Sequence, residues 1–300
     1  VGGMALGGVG LSNVLRAEGE SRTNSSHKAI INIYMPGGPS HMDLWDLKPD
    51  APAEVRGDFR PIATNVPGIE ICELFPKMAQ MMDKFVPVRS ISDADGGHDG
   101  YQCMTGHRRG DRKPPGGGPA AGSWVSRLQG SVNNAVPPNV SLMYTTGNRT
   151  WGETGDGGFL GVANSPFNLV GRKARSSNES MVLQGISLER LRDRDQLVRS
   201  IDNFKRATDT TGVMESMDIY SQKAMGILAT SNLADALDLS KEDPAVVARY
   251  GKSDEKFQRD GAPKMIENFC IARRLVEAGA RYVSLNYSRW DWHGGDGMNF

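Results

Sequence analysis

The chain has 300 residues, of which 35 are basic and 35 acidic, so its formal net charge is zero. This balance excludes the strong overall field by which a protein captures nucleic acid or an anionic membrane. The hydrophobic content of 38% is enough for a sizeable core and excludes a disordered or fibrous protein. Three cysteines are too few for a disulfide scaffold and lack the close spacing of a zinc site.

Glycine is unusually frequent, with 36 residues in 300 against an average usage of about 7%. Together with 16 prolines, this frequency indicates many tight loops between regular elements. The length allows one large domain or two ordinary ones. Because no internal repeat or clear linker divides the sequence, we predict one domain over residues 28–300.

The first residues are typical of an export signal. Val1–Leu11 is apolar, small and uncharged, and Arg16 and Ala17 lead into a polar run. The segment is too short to span a membrane, for which about 20 apolar residues are needed. We therefore interpret residues 1–27 as the remnant of an export signal and a polar linker, and expect a periplasmic or secreted protein. Its weak hydrophobicity resembles that of twin-arginine signals; the alternative is a buried helix of small residues.

The first half of the remaining sequence alternates between strand and helix patterns. The β-branched run Lys28–Met35 predicts a buried strand. Apolar residues at helical spacing predict a helix over Leu74–Phe85, and Val86–Ile91 is typical of a strand. A short helix is expected over Tyr101–Met104, ending at Gly106.

The second half continues this alternation around a charge-rich middle segment. We predict a helix, a strand, a long helix capped by Gly279 and a final strand, at Ala120–Gln129, Asn139–Tyr144, Lys264–Ala278 and Tyr282–Tyr287 respectively. Between them, Ser187–Ala229 is typical of a helical hairpin, so a helical insertion is expected over about residues 187–250. Strands that alternate with helices predict an α/β domain with a mostly parallel sheet.

Three polar clusters follow predicted strands, where open α/β sheets bind their ligands. The first is the glycine-rich loop from Gly37 to Asp46. In it, Ser40 is a candidate nucleophile or ligand, and Asp43 and Asp46 are candidate metal ligands. The alternative is a tight turn whose aspartates cap a following helix.

The second cluster is the acidic, glycine-rich loop from Asp93 to Gly100. Its His98 is a candidate metal ligand or acid–base catalyst, and the alternative is an ordinary capping loop. Just beyond it, Arg108 and Arg109 belong to a basic run that suits a phosphate or sulfate ester. Such a run is also typical of a solvated loop.

The third cluster follows the last predicted strand. Asp291 and His293 lie two residues apart there and offer two ligands for a divalent metal. Trp290 and Trp292 can shield such a site from water. The alternative is that the tryptophans are core anchors and that the histidine is a surface residue.

Four motifs occur in a characteristic order. They are G-G-P-S-H-x-D-x-x-D-x-K-P from Gly37, H-x-x-x-x-x-M-T-G from His98, A-R-R-L-V-E-A-G from Ala272 and W-D-x-H-G from Trp290. Over most of its length the chain resembles the bacterial exported family known as domain of unknown function 1501, which is grouped with the alkaline phosphatase and sulfatase superfamily. The resemblance implies an alkaline-phosphatase-like α/β/α sandwich with a metal site at the strand ends. It also implies further motifs beyond residue 300, so a sequence truncated at its C-terminus is expected.

The resemblance also bears on the chemistry. In sulfatases the nucleophile lies nine residues before the threonine of the T-G turn, and that position is Gly96 here. A hydrolase would therefore have to use Ser40 or a metal-bound water. We expect a metal-dependent hydrolase of phosphate or sulfate esters of small molecules or saccharides, with a divalent metal such as Zn, Ca or Mn. The alternatives are a catalytically silent binding protein and, disfavoured by the zero net charge, a nucleic-acid binder that uses residues 107–113.

Overall fold

The β-branched and apolar runs of the sequence build one parallel sheet in a computed structural model, which describes residues 28–111, 114–133, 135–147, 149–169 and 231–291. The predicted export signal, the candidate His293 and residues 187–230 of the predicted insertion lie outside the described residues.

The strands of the four-stranded sheet alternate with helices along the chain, as expected of an α/β protein. All of its strand pairs are parallel. Its strands, in spatial order, are β1 (Ile30–Tyr34), β8 (Tyr282–Asn286), β4 (Asn139–Leu142) and β5 (Phe167–Asn168). β8 pairs with a neighbour on each side, so all five of its residues are buried. The predictions of strands at 28–35, 139–144 and 282–287 are thus confirmed, with slightly shorter bounds. The burial predicted for the first strand is wrong in the described structure, because β1 is at the edge of the sheet and its Ile30, Ile31 and Ile33 are exposed.

Helix α8 (Glu267–Ala278) supplies the main cover of the sheet. Its buried face includes Ala272 and Leu275, and it ends at Gly279, whose φ of +121° suits glycine. The chain then passes almost directly into β8, so the predicted helix and strand are adjacent in space. The core formed between them consists mainly of aliphatic side chains from α8, β4 and β8, including Leu275, Val140, Leu142, Val283 and Leu285.

Helix α5 (Ala121–Gln129) forms where the sequence predicts it and buries small residues against the sheet. Its apolar Trp124 and Leu128 are exposed, whereas Gly122, Ser123 and Ser126 are buried. A β-carbon at Gly122 would lie 2.6 Å from Cδ1 of Tyr282, so small residues are needed for this close approach to the sheet.

The prediction of one helix over residues 74–85 is wrong. The structure has helix α3 (Pro76–Ala79) followed by a separate 3₁₀ turn at Met82–Lys84. A continuous helix would bond the amide of Asp83 to the carbonyl of Ala79. That carbonyl instead accepts from the amide of Asn65 at 2.9 Å, and the amide of Asp83 donates to the Asn65 side chain at 3.2 Å. Tertiary hydrogen bonds therefore replace the helical one.

The predicted strand at residues 86–91 is also not formed. This segment is irregular and its apolar side chains, Val86, Val88 and Ile91, are exposed. Pro87 has no amide hydrogen to donate, and none of the described strands pairs with the segment.

The remaining described elements are short and lie around the sheet. Two antiparallel hairpins join β2 (Pro61–Ala63) to β3 (Glu70–Cys72) and β6 (Asp254–Phe257) to β7 (Pro263–Lys264). The short helices are α1 (His41–Leu44), α2 (Ala53–Arg56), α4 (Gly100–Thr105), α6 (Asn232–Leu237) and α7 (Pro244–Tyr250).

The end of the predicted insertion is helical, since α6 and α7 lie within residues 231–250. Arg274 of α8 holds this region by donating to the carbonyls of Asp235 and Ala236 and to the carboxylate of Glu242. Within the described parts of the chain, no helix has the length and apolar composition needed to cross a membrane.

The position of the core predicts a contrast between two leucines. Leu285→Ala, at a side chain that is 0% exposed in the central strand, should lower the free energy of unfolding by about 2–5 kcal/mol because it leaves a cavity. Leu128→Ala, at a side chain that is 77% exposed, should change it by no more than about 0.5 kcal/mol. Urea denaturation of both variants measures the difference, and equal losses would contradict the assigned core.

Candidate functional site

The first and third sequence clusters meet because β1 and β8 are parallel neighbours. Their carboxyl ends lie side by side, so the loops that follow them start at the same edge of the sheet. The amide of Trp290 donates to the carbonyl of Pro36 at 2.8 Å, which joins the two loops directly. The prediction that both clusters lie at strand ends agrees with this arrangement.

Gly37 makes the closest approach between these loops. Its φ is +92°, a conformation that glycine adopts readily, and a β-carbon built on it would lie 2.6 Å from the β-carbon of Asp291. Any other residue would push Asp291 away. This glycine of the first cluster therefore sets the position of an acidic side chain.

The second cluster does not follow a strand, because residues 86–91 form none, but it joins the same place through His98. Nε2 of His98 lies 3.0 Å from Oδ1 of Asp291, and the His98 ring packs edge-on against Trp151 at a centroid distance of 4.8 Å. The other carboxylate oxygen of Asp291 accepts from Nη2 of Arg289 at 2.9 Å. The Asp291 side chain is only 10% exposed, whereas that of His98 is 38% exposed. The arrangement is a buried carboxylate that orients a solvent-accessible imidazole.

Arg108 and Arg109, which the sequence predicts as substrate ligands, hold the His98 loop. Arg109 forms ion pairs with Asp99 and Glu153, and its guanidinium lies 5.0 Å from the centroid of the Tyr101 ring. Hydrogen bonds to both carboxylates raise the pKa of Arg109.

Arg108 also contacts this loop. Its Nε and Nη2 donate to the carbonyl of Asp93 at 3.0 and 2.9 Å. The donors of Arg108 and Arg109 are thus engaged with the loop that carries His98, and a substrate anion would have to compete with these contacts. Their role as substrate ligands stays a prediction, whereas their role in ordering the loop is visible.

Helix α4, which follows the His98 loop, is formed as the sequence predicts. Asp99 caps it by accepting from the amide of Tyr101 at 2.9 Å, and Gly106 ends it with a left-handed φ of +75°. Burial, and then the negative charge of Asp99, raise the pKa of the Cys103 thiol in this helix. Burial is likewise the main reason that the pKa of Tyr34, at the end of β1, is raised.

The remaining candidates lie in the turn after β1. Ser40 is half-buried at the start of α1, and its hydroxyl makes no capping hydrogen bond. Asp43 lies against Gly57, where an added β-carbon would be 2.8 Å from Oδ1 of Asp43. Asp46 forms a salt bridge with Lys48 at 2.8 Å, and a hydrogen bond from Lys48 lowers the Asp46 pKa.

A metal ion would need a larger group of donors than this. In the described part of the chain, no three His, Cys, Asp or Glu side chains come together in a way that could hold a metal. His98 and Asp291 are brought together as a pair, and His293 lies outside the described residues. The described residues therefore do not complete a metal cage.

Sequence reasoning missed several contributors to the site. Arg289 was part of the third cluster but had no assigned role, and its contact with Asp291 becomes evident only in three dimensions. Trp151 and Glu153 come from a glycine-rich stretch for which the sequence predicts neither a regular element nor a site residue. No spacing signal connects these positions to His98, because they approach it only through the tertiary fold.

The close approach at Gly37 predicts a difference between two neighbouring glycines. Both have positive φ, so Gly38→Ala should cost about 1–2 kcal/mol for the left-handed backbone alone. Gly37→Ala should cost roughly 1–3 kcal/mol more, because its β-carbon overlaps Asp291 whereas that of Gly38 meets nothing within 4 Å. Chemical denaturation measures both values, and equal costs would contradict the contact.

The raised pKa of Cys103 predicts slow alkylation. The unprotonated thiolate is the reactive form, so in the folded protein the rate should be low at neutral pH and should still be rising with pH beyond the ordinary thiol value of about 8.5, where an ordinary thiol levels off. Mass spectrometry of the Cys103 peptide after iodoacetamide treatment across a pH series measures this profile. In denaturant the profile should return to the ordinary value, and identical folded and unfolded profiles would contradict the prediction.

The chain is similar to a known protein family. The family described as "Protein of unknown function (DUF1501)" matches residues 27–299, which includes all of the site residues described above. No curated protein and no solved structure matches the chain. Since the match covers most of the sequence, from before β1 to beyond Asp291, the chain belongs to the DUF1501 family of proteins of unknown function.

Proposed function

We propose that the protein is an exported hydrolase of phosphate or sulfate esters, built on an alkaline-phosphatase-like sandwich, with His98 and Asp291 at its centre. The observation that supports it is the 3.0 Å contact between these two side chains. They are far apart in sequence, yet they meet at the carboxyl ends of parallel strands, where α/β proteins bind ligands.

The geometry suits general acid–base chemistry. If Nε2 of neutral His98 donates its hydrogen to Asp291, the lone pair of the imidazole lies on Nδ1. Nδ1 can then take a proton from an attacking water while the new bond to phosphorus or sulfur forms. The ester oxygen leaves on the opposite side of the phosphorus or sulfur, in line with the attacking water, and takes its proton from solvent. The imidazolium later releases its proton to solvent, and the buried carboxylate stabilises the positive ring in between.

The divalent metal, Zn, Ca or Mn, stays part of the proposal as a separate prediction. Asp291 and His293 were its strongest candidate ligands, with Asp43 and Asp46 as further candidates. Because the described residues do not complete a cage, no step above depends on a metal. Elemental analysis of the purified protein tests this part independently of turnover.

A catalytically silent binding protein is the second candidate, and Gly96 favours it. This glycine stands where the sulfatase likeness places the nucleophile. The structure puts it in an exposed loop, with nothing within 4 Å of a built β-carbon. Ser40 or an activated water would have to replace the missing group. Export would give either candidate an extracytoplasmic ligand, such as a saccharide or small-molecule ester.

Substitution of the central pair tests the hydrolase. His98→Gln and Asp291→Asn should each lower kcat on aryl phosphates or aryl sulfates by about 10²–10⁴-fold, because each removes the positioned proton acceptor or its support. His107→Gln and Asp58→Asn, at exposed positions outside the pair, are the matched controls and should retain activity. Steady-state kinetics gives the comparison.

Two results would count against the hydrolase. One is equal activity of His98→Gln and its control. The other is a wild-type protein that turns over no phosphate or sulfate ester but binds a saccharide ester in calorimetry, which would favour the silent binding protein.

A further inference from the structure

A chain of charged groups continues from the candidate site into a neighbouring hairpin. Beyond His98 and Asp291, Arg289 donates from Nη2 to Oδ2 of Asp291 at 2.9 Å and from Nε to Oδ1 of Asp260 at 2.6 Å. Asp260 lies in the turn between β6 and β7, which is 31 residues before Asp291 in the sequence. Arg289 thus bridges the site to a separate structural unit.

This bridge is buried where it meets the site. Arg289 and Asp291 are 7% and 8% exposed. Burial of an ion pair is often no better for stability than burial of apolar residues of the same size, because both charges lose their water. Stability alone is therefore a poor explanation for these charges. A fixed orientation of the Asp291 carboxylate, with Oδ1 toward His98, is what the geometry provides.

The backbone on both sides is shaped for this orientation. Gly261 lies against Arg289, where a β-carbon would be 2.7 Å from the β-carbon of the arginine, just as Gly37 lies against Asp291. Ser288, two residues after the end of β8, has a left-handed φ of +61°, a conformation that costs energy for a non-glycine residue. The turn is tied to it, since the amide of Ala262 donates to the Ser288 carbonyl at 2.9 Å.

The Asp260 turn is itself held in place. Arg259 adopts a left-handed φ of +53° beside it, and Gly147 approaches so closely that a β-carbon there would be 2.9 Å from Cα of Asp260. The loop after β4 and the end of β8 therefore enclose the turn from two sides. Asp260 is consequently a fixed anchor for the guanidinium, although its own side chain is 37% exposed.

We propose that Arg289 is a positioning residue and Asp260 its anchor, and that together they hold the Asp291 carboxylate toward His98. The proposal rests on the hydrolase function only for its effect on turnover. The contacts that link Asp260 to His98 are present with or without catalysis, so the positioning role can be measured separately.

The test uses Asp260→Asn and Arg289→Lys, with Asp254→Asn as the matched control on the same hairpin. Asp254 accepts from the amide of Lys256 at 2.9 Å and belongs to β6. In ¹⁵N-histidine-labelled protein, the His98 ring signals, assigned with His98→Gln, should shift in the first two variants and stay unchanged in the control. Lysine keeps the positive charge but lacks the planar guanidinium that donates to both Asp291 and Asp260. Arg289→Lys should therefore not preserve the wild-type His98 signals.

Turnover should fall in the same two variants and stay unchanged in the Asp254→Asn control. Asp260→Asn should lower kcat about tenfold with KM nearly unchanged, as is common for residues that orient a catalytic group. Unchanged His98 signals in Asp260→Asn, in a protein with the wild-type melting temperature, would overturn the positioning role even if Arg289→Lys fails to fold. The two proposals can fail separately. If the wild-type protein has no hydrolase activity but the His98 signals still shift in Asp260→Asn, the hydrolase function is contradicted and the positioning role is supported.

Discussion

The parallel pairing of β1 with β8 is the constraint on which the candidate site depends. It places two loops at one edge of the sheet, although their strands are about 250 residues apart in the sequence. Because the loops are joined at Pro36 and packed at Gly37, the position of Asp291 follows from the sheet itself. His98 then needs only one loop from the intervening chain to reach the carboxylate.

Around this edge, much of the polar surface is used to hold side chains in place. Arg108 and Arg109 order the His98 loop, and Arg289 orients Asp291. The site is therefore built from an accessible imidazole supported by carboxylates and guanidinium groups that are already paired. Such an arrangement favours proton transfer at His98 over capture of an anion by free arginines.

The parts of the fold that were predicted correctly are those with a strong local pattern. β1 and β8 are short apolar runs, and α8 has apolar residues at helical spacing and ends at Gly279. The helix expected over residues 74–85 failed because hydrogen bonds from Asn65, which no local pattern reveals, take over its backbone groups. Similarly, α5 buries its small residues because the sheet approaches at Gly122.

The candidate site was predictable to a similar extent. Polar clusters in the sequence identified His98 and Asp291, although only Asp291 follows a strand that is formed. The contact between them depends on tertiary packing, which periodicity does not give. Asp260 and Arg289 were missed as a pair because only the packed hairpin brings them together.

A crystal structure of the protein soaked with tungstate, a mimic of phosphate and sulfate, tests the central claim most directly. The account predicts an anion beside the His98 ring, with Asp291 on the opposite nitrogen. Tungstate bound elsewhere, together with His98 and Asp291 separated and each facing solvent, would contradict it.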